Sequence, residues 1–350
     1  WLGQNLLLVV LQAGLTGSMV WGWSQGTATP GDVAFAITAF MLMSGYLRNL
    51  GENIRMLQKG LDDTEDVAAW DRLAPQIADA PGAPAFKAGP GAIAFENVTF
   101  RYKAAGAPLY DQFSLSIAPG ERVALVGPSG GGKSTILNLI LRFFDPVSGT
   151  IHIDGQLVEK PLPSVSMVFQ HFGLFPWKTV AENVGYGLKM AGASAEHIAE
   201  SVPRFIQLVG LAGFEQAYPW QMSGGMQPRR GLARALAVEP SVLLMDEPFA
   251  AVDAQTRADL EDLIRTVWKK LGITVLFVTH DIDESVYLGE RVIILSSSPT
   301  VIQEDLVIDL PAERDQLNTR SLPRFTELRH HVYEQIQLAK AGHRPAAAAK

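Results

Sequence analysis

The 350-residue chain has no cysteine, which excludes disulfides, thiolate nucleophiles and Cys-ligated zinc and suits a reducing compartment. It also has no surplus of basic charge. Its 29 Lys and Arg against 36 Asp and Glu leave -7, which argues against a nucleic-acid partner, because phosphates need a basic stripe to displace their counterions. No internal repeat is present. The histidines form no metal set, since the adjacent His330 and His331 point apart on a helix. The chain opens on Trp1 with no basic segment ahead of its apolar run, so a signal peptide is not expected and the sequence reads as a piece of something longer.

Charge is absent from residues 1–31 and again from 33–47. The first run, QNLLLVVLQAGLTGSMVWGW, lies between Trp1 and Trp21, which a helix would separate by roughly 30 Å, about one hydrocarbon thickness. Aromatics at both ends resemble an interfacial belt, and Gly14, Gly17, Ser18 and Ser44 would let helices pack closely in lipid. A membrane hairpin is expected, with most weight on this first run. A buried soluble hairpin is the alternative, because the second run, VAFAITAFMLMSGYL, is short for a full span. Helical spacing then continues, now charged, to about Trp70. Residues 1–74 are therefore read as two membrane helices with a cytosolic extension. The Pro-, Gly- and Ala-rich stretch 75–91 is read as a linker.

Beyond it the pattern changes class. AIAFENVTFRY alternates as a strand, and FSLSIAPGERVALVG supplies two more around a Pro-Gly turn. VLLMD and TVLFVTH are continuous apolar runs of the kind a parallel sheet buries on both faces. One α/β domain is expected over 92–315. Residues 316–350 are expected to form a helix carrying Phe325, Leu328, Val332 and Ile336 on one face, followed by a disordered HRPAAAAK tail.

GPSGGGKST at 127–135 fits the phosphate-loop pattern G-x-x-x-x-G-K-[ST]. Gly127, Pro128, Ser129, Gly130, Gly131 and Gly132 would wrap around a phosphate, with the backbone N–H groups of all but Pro128 free to point inward. Lys133 would reach the β and γ phosphates, Ser134 would offer its hydroxyl to Mg²⁺, and Thr135 follows in the helix. The strand RVALV before the loop and the apolar-periodic TILNLILRFF after it give the expected strand–loop–helix context, with the helix N-terminus facing the anion. A second motif, SVLLMDEP at 241–248, ends a strand in two acids. Asp246 could hold Mg²⁺, and Glu247 could orient and deprotonate an attacking water.

MSGGMQ at 222–227, in order after the phosphate loop and before VLLMDEP, resembles the signature of ABC (ATP-binding cassette) ATPases. That resemblance implies a P-loop NTPase cassette with a helical subdomain, here preceded by a transmembrane hairpin, that binds ATP and Mg²⁺ and hydrolyses ATP to power transport. It also implies a dimer, in which Ser223, Gly224 and Gly225 would face the γ-phosphate held by the opposite subunit. Further positions match the same family. Tyr102 matches the adenine-stacking aromatic, Gln170 in MVFQ the residue that senses Mg²⁺ and contacts the membrane partner, Asp253 the loop crossing the dimer interface, and His280 the switch histidine at the γ-phosphate. The implied partners are a second cassette and permease subunits, and an importer would add a periplasmic solute-binding protein. The implied location is the inner (plasma) membrane, with the cassette on its cytoplasmic side.

The resemblance is split. Residues 1 to about 155 look like the end of an ABC exporter, through LILRFFDPVSGTIHIDG. From about Pro161, VSMVFQHFGLFPWKTVAENVGYGL, DEPFAAVDAQTR and LPRFTELRHHVYEQI look like the ATPase subunit of nitrate, sulfonate or taurine importers. There are local departures as well: the signature usually begins with Leu and carries Gln where this chain has Met222 and Met226. Pro228 falls in the first turn after the signature, where its missing N–H is tolerated. Arg230 replaces a residue that is usually apolar, and if buried it needs a partner or a route to solvent. A binding-only or defective cassette and a non-transport ABC ATPase remain the competing readings, while cargo and direction of transport stay open.

Overall fold

The computed structural model describes residues 2–71, 89–102, 106–250 and 252–342. It divides into two units, Trp1–Gln76 and Ile77–Lys350, taken in turn.

In the first unit α1 (Leu2–Ser24) turns through a short loop into α2 (Pro30–Asp71). Thr29 starts α2: its N–H and hydroxyl both donate to the Asp32 carboxylate at 2.8 Å, and Pro30 takes the first helical position, where no N–H is needed. Once begun, α2 meets no breaker. Among the described residues, Pro30–Ala69 is the one helix long and apolar enough to cross a membrane, with a mean hydropathy of 1.3 in its most apolar stretch. The sequence put most weight on the first run. That run is helical too, as α1. Val10, Trp21, Phe35 and Leu42 all lie exposed on this hairpin.

The second unit is built on two sheets. The antiparallel sheet has the order β2-β1-β4-β5, from β1 (Ile93–Phe100), β2 (Tyr110–Ile117), β4 (Ser148–Ile153) and β5 (Gln156–Leu157). The central sheet has the order β10-β9-β3-β8-β7-β6, from β3 (Arg122–Val126), β6 (Val165–Val168), β7 (Val242–Asp246), β8 (Thr274–Val278), β9 (Arg291–Leu295) and β10 (Ile302–Val307). All its neighbours pair in parallel except β9 and β10. The continuous apolar runs VLLMD and TVLFV are the buried β7 and β8, as parallel strands covered on both faces must be.

Helices cover both faces. α3 (Lys133–Ile140) lies between the sheets and shares a core with Phe95, Leu125, Leu244 and Ile293. On the other face α8 (Ala254–Leu271), α9 (Ile282–Leu288) and α10 (Pro323–Lys340) share a second core with the helical segment inserted between β6 and β7. That segment contains α4 (Val180–Val184), α5 (Tyr186–Met190), α6 (Ala195–Leu208) and α7 (Met226–Ala237). Phe325, Leu328, Val332 and Ile336 of α10 are buried as their spacing predicts.

Two expectations change. TILNLILRFF is not all helix. α3 stops at Ile140, Arg142 takes φ 56°, and the Phe143 N–H reaches back to the Asn138 carbonyl at 2.8 Å, a Schellman-type end that frees Phe144 from the helix. The 75–91 linker lies mostly outside the described residues, but its end is not loose, for Asp154 accepts the N–H groups of Gly89, Gly91 and Ala92 at 3.1, 2.7 and 2.8 Å. The HRPAAAAK tail begins within the described residues at none of its positions. The seam at about 155–161 leaves no gap in packing: Ile151 and Ile153 before it and Leu162 and Val165 after it sit in one apolar cluster.

Candidate active site

Parallel strands deliver their carboxyl ends to one edge of a sheet, and ligands of open α/β sheets bind outside that edge. Here β3 delivers the phosphate loop, β6 delivers Gln170, β7 delivers Asp246 and Glu247, and β8 delivers His280. Residues up to 153 positions apart in sequence, Gly127 and His280, are thereby gathered at one place.

The loop itself is rigidly placed. Gly127 has φ 144°, and a Cβ there would run into the Leu295 carbonyl oxygen. Gly132 has φ 78°, and a Cβ there would collide with the Tyr110 hydroxyl, which donates to the Gly132 carbonyl at 2.5 Å. Neither position tolerates a side chain. Lys133 folds over the loop and donates to the Gly127 and Pro128 carbonyls, both at 2.9 Å. Burial pushes its amine below the usual lysine range, against the opposing pull of Glu247 and Asp246. The Ser134 hydroxyl donates to Asp246 at 3.0 Å. Burial pushes the Asp246 carboxyl upward and the nearby Glu247 adds to this, while Ser134 and Lys133 oppose it.

Glu247 is the pivot. Its N–H continues the ladder to the Val278 carbonyl at 2.9 Å, yet its φ is 47°, an uncommon backbone for a residue with a Cβ. Gln170 donates to its carboxylate at 3.5 Å, and the His280 imidazole approaches the same oxygen, Oε2, at 3.3 Å. Glu247 also lines a cleft of about 510 Å³ together with Tyr102, Leu109, Ser129, Lys133 and Ser298. Tyr102 bonds the Thr135 hydroxyl at 2.8 Å and meets Phe100 and Phe144 edge-on at 5.0 and 5.3 Å.

The phosphate-loop residues, Tyr102, Gln170, Asp246, Glu247 and His280 therefore converge. Ser223, Gly224, Gly225 and Asp253 do not line the cleft. Ser223 and Gly224 are exposed just ahead of α7, and Asp253 caps α8 by accepting the Thr256 N–H at 3.0 Å. Pro228 is the third residue of α7, within its first turn. Arg230 is fully buried, and among the described residues none of its three guanidinium nitrogens has a hydrogen-bond partner. The sequence reading passed over Leu109, Ser298 and Phe144. Only Phe144 left a trace, as the second Phe of LRFFDP, hidden there by its fit to a helical period.

A glycine loop that admits no side chains, a lysine over it and a hydroxyl–acid pair beside it define a P-loop nucleotide hydrolase. Residues 110–250 match the ABC transporter family. The chain is 45% identical over 208 residues to the nitrate import ATP-binding protein NrtD of Synechocystis sp., covering 59% of this chain and 78% of that protein. It is 42% identical over 235 residues to the taurine import ATP-binding protein TauB of Yersinia pseudotuberculosis, covering 66% and 92%. Among solved structures it is similar to the ATP-binding cassette MJ0796 in a post-hydrolysis dimer with ADP and Pi, with TM-score 0.54, 32% identity and coverage of 62% of this chain and 98% of that one. It is also similar to a bacterial Atm1-family ABC exporter with ATP bound, with TM-score 0.59 and 28% identity, covering all of this chain but 58% of the exporter. The chain belongs to the ABC transporter family, as one of its ATP-hydrolysing, ATP-binding components.

Proposed function

We propose that this chain hydrolyses Mg-ATP at the cleft above, each site being completed by a second copy. The observation that carries this reading is the approach of Gln170 and His280 to one oxygen of Glu247, beside a phosphate loop closed by Lys133 and the Ser134–Asp246 pair.

In this reading Tyr102 stacks on adenine with Phe144 behind it, and the 127–135 loop holds the phosphates through backbone N–H groups and Lys133. Ser134 and Asp246, joined at 3.0 Å, are a hydroxyl and a carboxylate of the kind a hard cation takes, and Gln170 would add its amide oxygen. Mg²⁺ held there would neutralise charge on the β and γ phosphates. Glu247 orients a water and takes its proton as the water oxygen bonds to the γ-phosphorus, while the bond to the β-bridging oxygen breaks and ADP leaves. His280 steadies Glu247 and faces the γ-phosphate. Ser223, Gly224 and Gly225 supply donors to the partner copy's nucleotide, which accounts for the exposure of Ser223 and Gly224, and Asp253 lies at the same interface.

The hairpin is assigned to the membrane and 92–315 to the cytoplasmic side. The 1–155 segment keeps its exporter character, while the importer relatives support permease subunits, and a periplasmic solute-binding protein, as partners for the rest. Phosphate release by the purified full chain with Mg-ATP tests the proposal. Turnover that disappears in Glu247→Gln is expected, and an unchanged rate in that variant would sink it. The buried, unpaired Arg230 favours one second reading, a cassette that binds ATP without turnover. The same assay separates the two. In proteoliposomes the chain alone is expected to move no solute, because two helices cannot enclose a path.

A further inference from the structure

His280 reaches Glu247 from a turn that is itself tied down. The Thr279 hydroxyl donates to the Glu284 carboxyl at 2.5 Å and accepts the Asp281 N–H at 3.0 Å. Asp281 accepts the Glu284 N–H at 3.1 Å, capping α9. Both acids then face Arg257 of α8, whose guanidinium lies 3.2 Å from Asp281 and 3.6 Å from Glu284. The residues on either side of His280 are thus held by the same pair, Glu284 and Arg257. Glu284 is buried, at 5% exposure, so its carboxyl cannot wander. Arg257 sits in the first turn of α8, its N–H bonded to the Asp253 carbonyl at 2.9 Å. The tether therefore runs from the Asp253 loop through Arg257 and Glu284 to the 279–281 turn.

We propose that Glu284 and Arg257 are positioning residues that hold His280 against Glu247 and link its placement to that of the Asp253 loop. Neither touches the cleft, so they act on the rate of the reaction through His280 and leave nucleotide binding alone. This rests on the reading of His280 given above.

Buried acids of this kind also stabilise a fold, so the test must separate position from stability. In the full chain, Glu284→Ala should lower kcat about tenfold with KM for ATP unchanged, the pattern of an interaction used only in the transition state. Glu284→Gln, whose amide oxygen still accepts the Thr279 hydroxyl, should recover at least half of the parent rate. Arg257→Met, at a more exposed position, should lower kcat about threefold even if Glu284→Ala fails to fold. The deciding step is a cycle with His280→Ala, read by single-turnover cleavage of γ-labelled ATP. In that background Arg257→Met and Glu284→Ala should cost less than twofold more, because the group they place is gone. Full, multiplicative losses there, with His280→Ala alone impaired, would overturn the positioning role while leaving the site reading intact. A parent-like rate in His280→Ala alone would overturn both.

Discussion

The phosphate loop and the signature loop are both rich in glycine, yet their surroundings differ. At Gly127 and Gly132 the backbone is pressed against Leu295 and Tyr110 of the same chain, and Lys133 closes over the loop. At Gly224 a Cβ would meet nothing, and Ser223 beside it is exposed. One loop is finished by its own fold. The other is packed at Gly225, against Thr256, but open at Ser223 and Gly224, a surface that becomes useful when something else supplies the acceptor. In the proposed reading, the same composition serves a site built in one chain and a site built between two.

Several substitutions sharpen or break this contrast. The largest effect is expected for Glu247→Gln, which conserves shape but removes the base. Turnover should fall 10²–10⁴-fold, and size-exclusion chromatography with Mg-ATP should show a trapped dimer. Lys133→Ala should reduce turnover about 10²–10³-fold, the range for removing one preorganised electrostatic contact, and should weaken ATP binding in a filter assay. Ser223→Ala attacks the second loop. It should leave ATP binding at the parent level but slow turnover at least about tenfold, the worth of one hydrogen bond to a charged group. Weakened binding in that variant would mean that the signature serves its own chain's nucleotide.

Smaller effects concern the scaffold. Arg230→Leu removes a buried charge that has no partner and should raise stability to chemical denaturation by about 1–4 kcal/mol. A loss would reveal a compensating contact. Burial pushes the Glu284 carboxyl up to about 7 from 4.5, with Asp281 and Glu261 adding to this and Thr279 and Arg257 opposing. Between those two values the folded chain holds a proton that the unfolded chain has released. Stability should therefore fall as pH rises from about 4.5 to about 7. Glu284→Gln should flatten that slope in denaturation midpoints measured across the range.

What was legible in the sequence was what is local. The 127–135 loop, the strand-end acids and the apolar runs of β7 and β8 each carry their meaning within a few residues, and the parallel sheet then assembles them. The end of α3 was misread because Phe143 and Phe144 continue the apolar period, and only the left-handed turn at Arg142 shows where the helix stops. The Arg257–Glu284 tether was invisible for another reason. Its members lie on different helices, and nothing in either segment announces the other. Arg230 was flagged as a departure, but only packing could say that it is enclosed without a partner.

The absence of cysteine allows the central claim, a site shared between two copies, to be tested without background thiols. In the Glu247→Gln chain, Ser129→Cys is placed in one preparation and Ser223→Cys in another. The two are mixed with Mg-ATP and treated with a short bis-maleimide. A linked dimer is expected that forms only in the mixture, only with nucleotide, and joins one chain of each kind. Linkage that ignores nucleotide, or none between the two chains while both still bind ATP, would contradict the account.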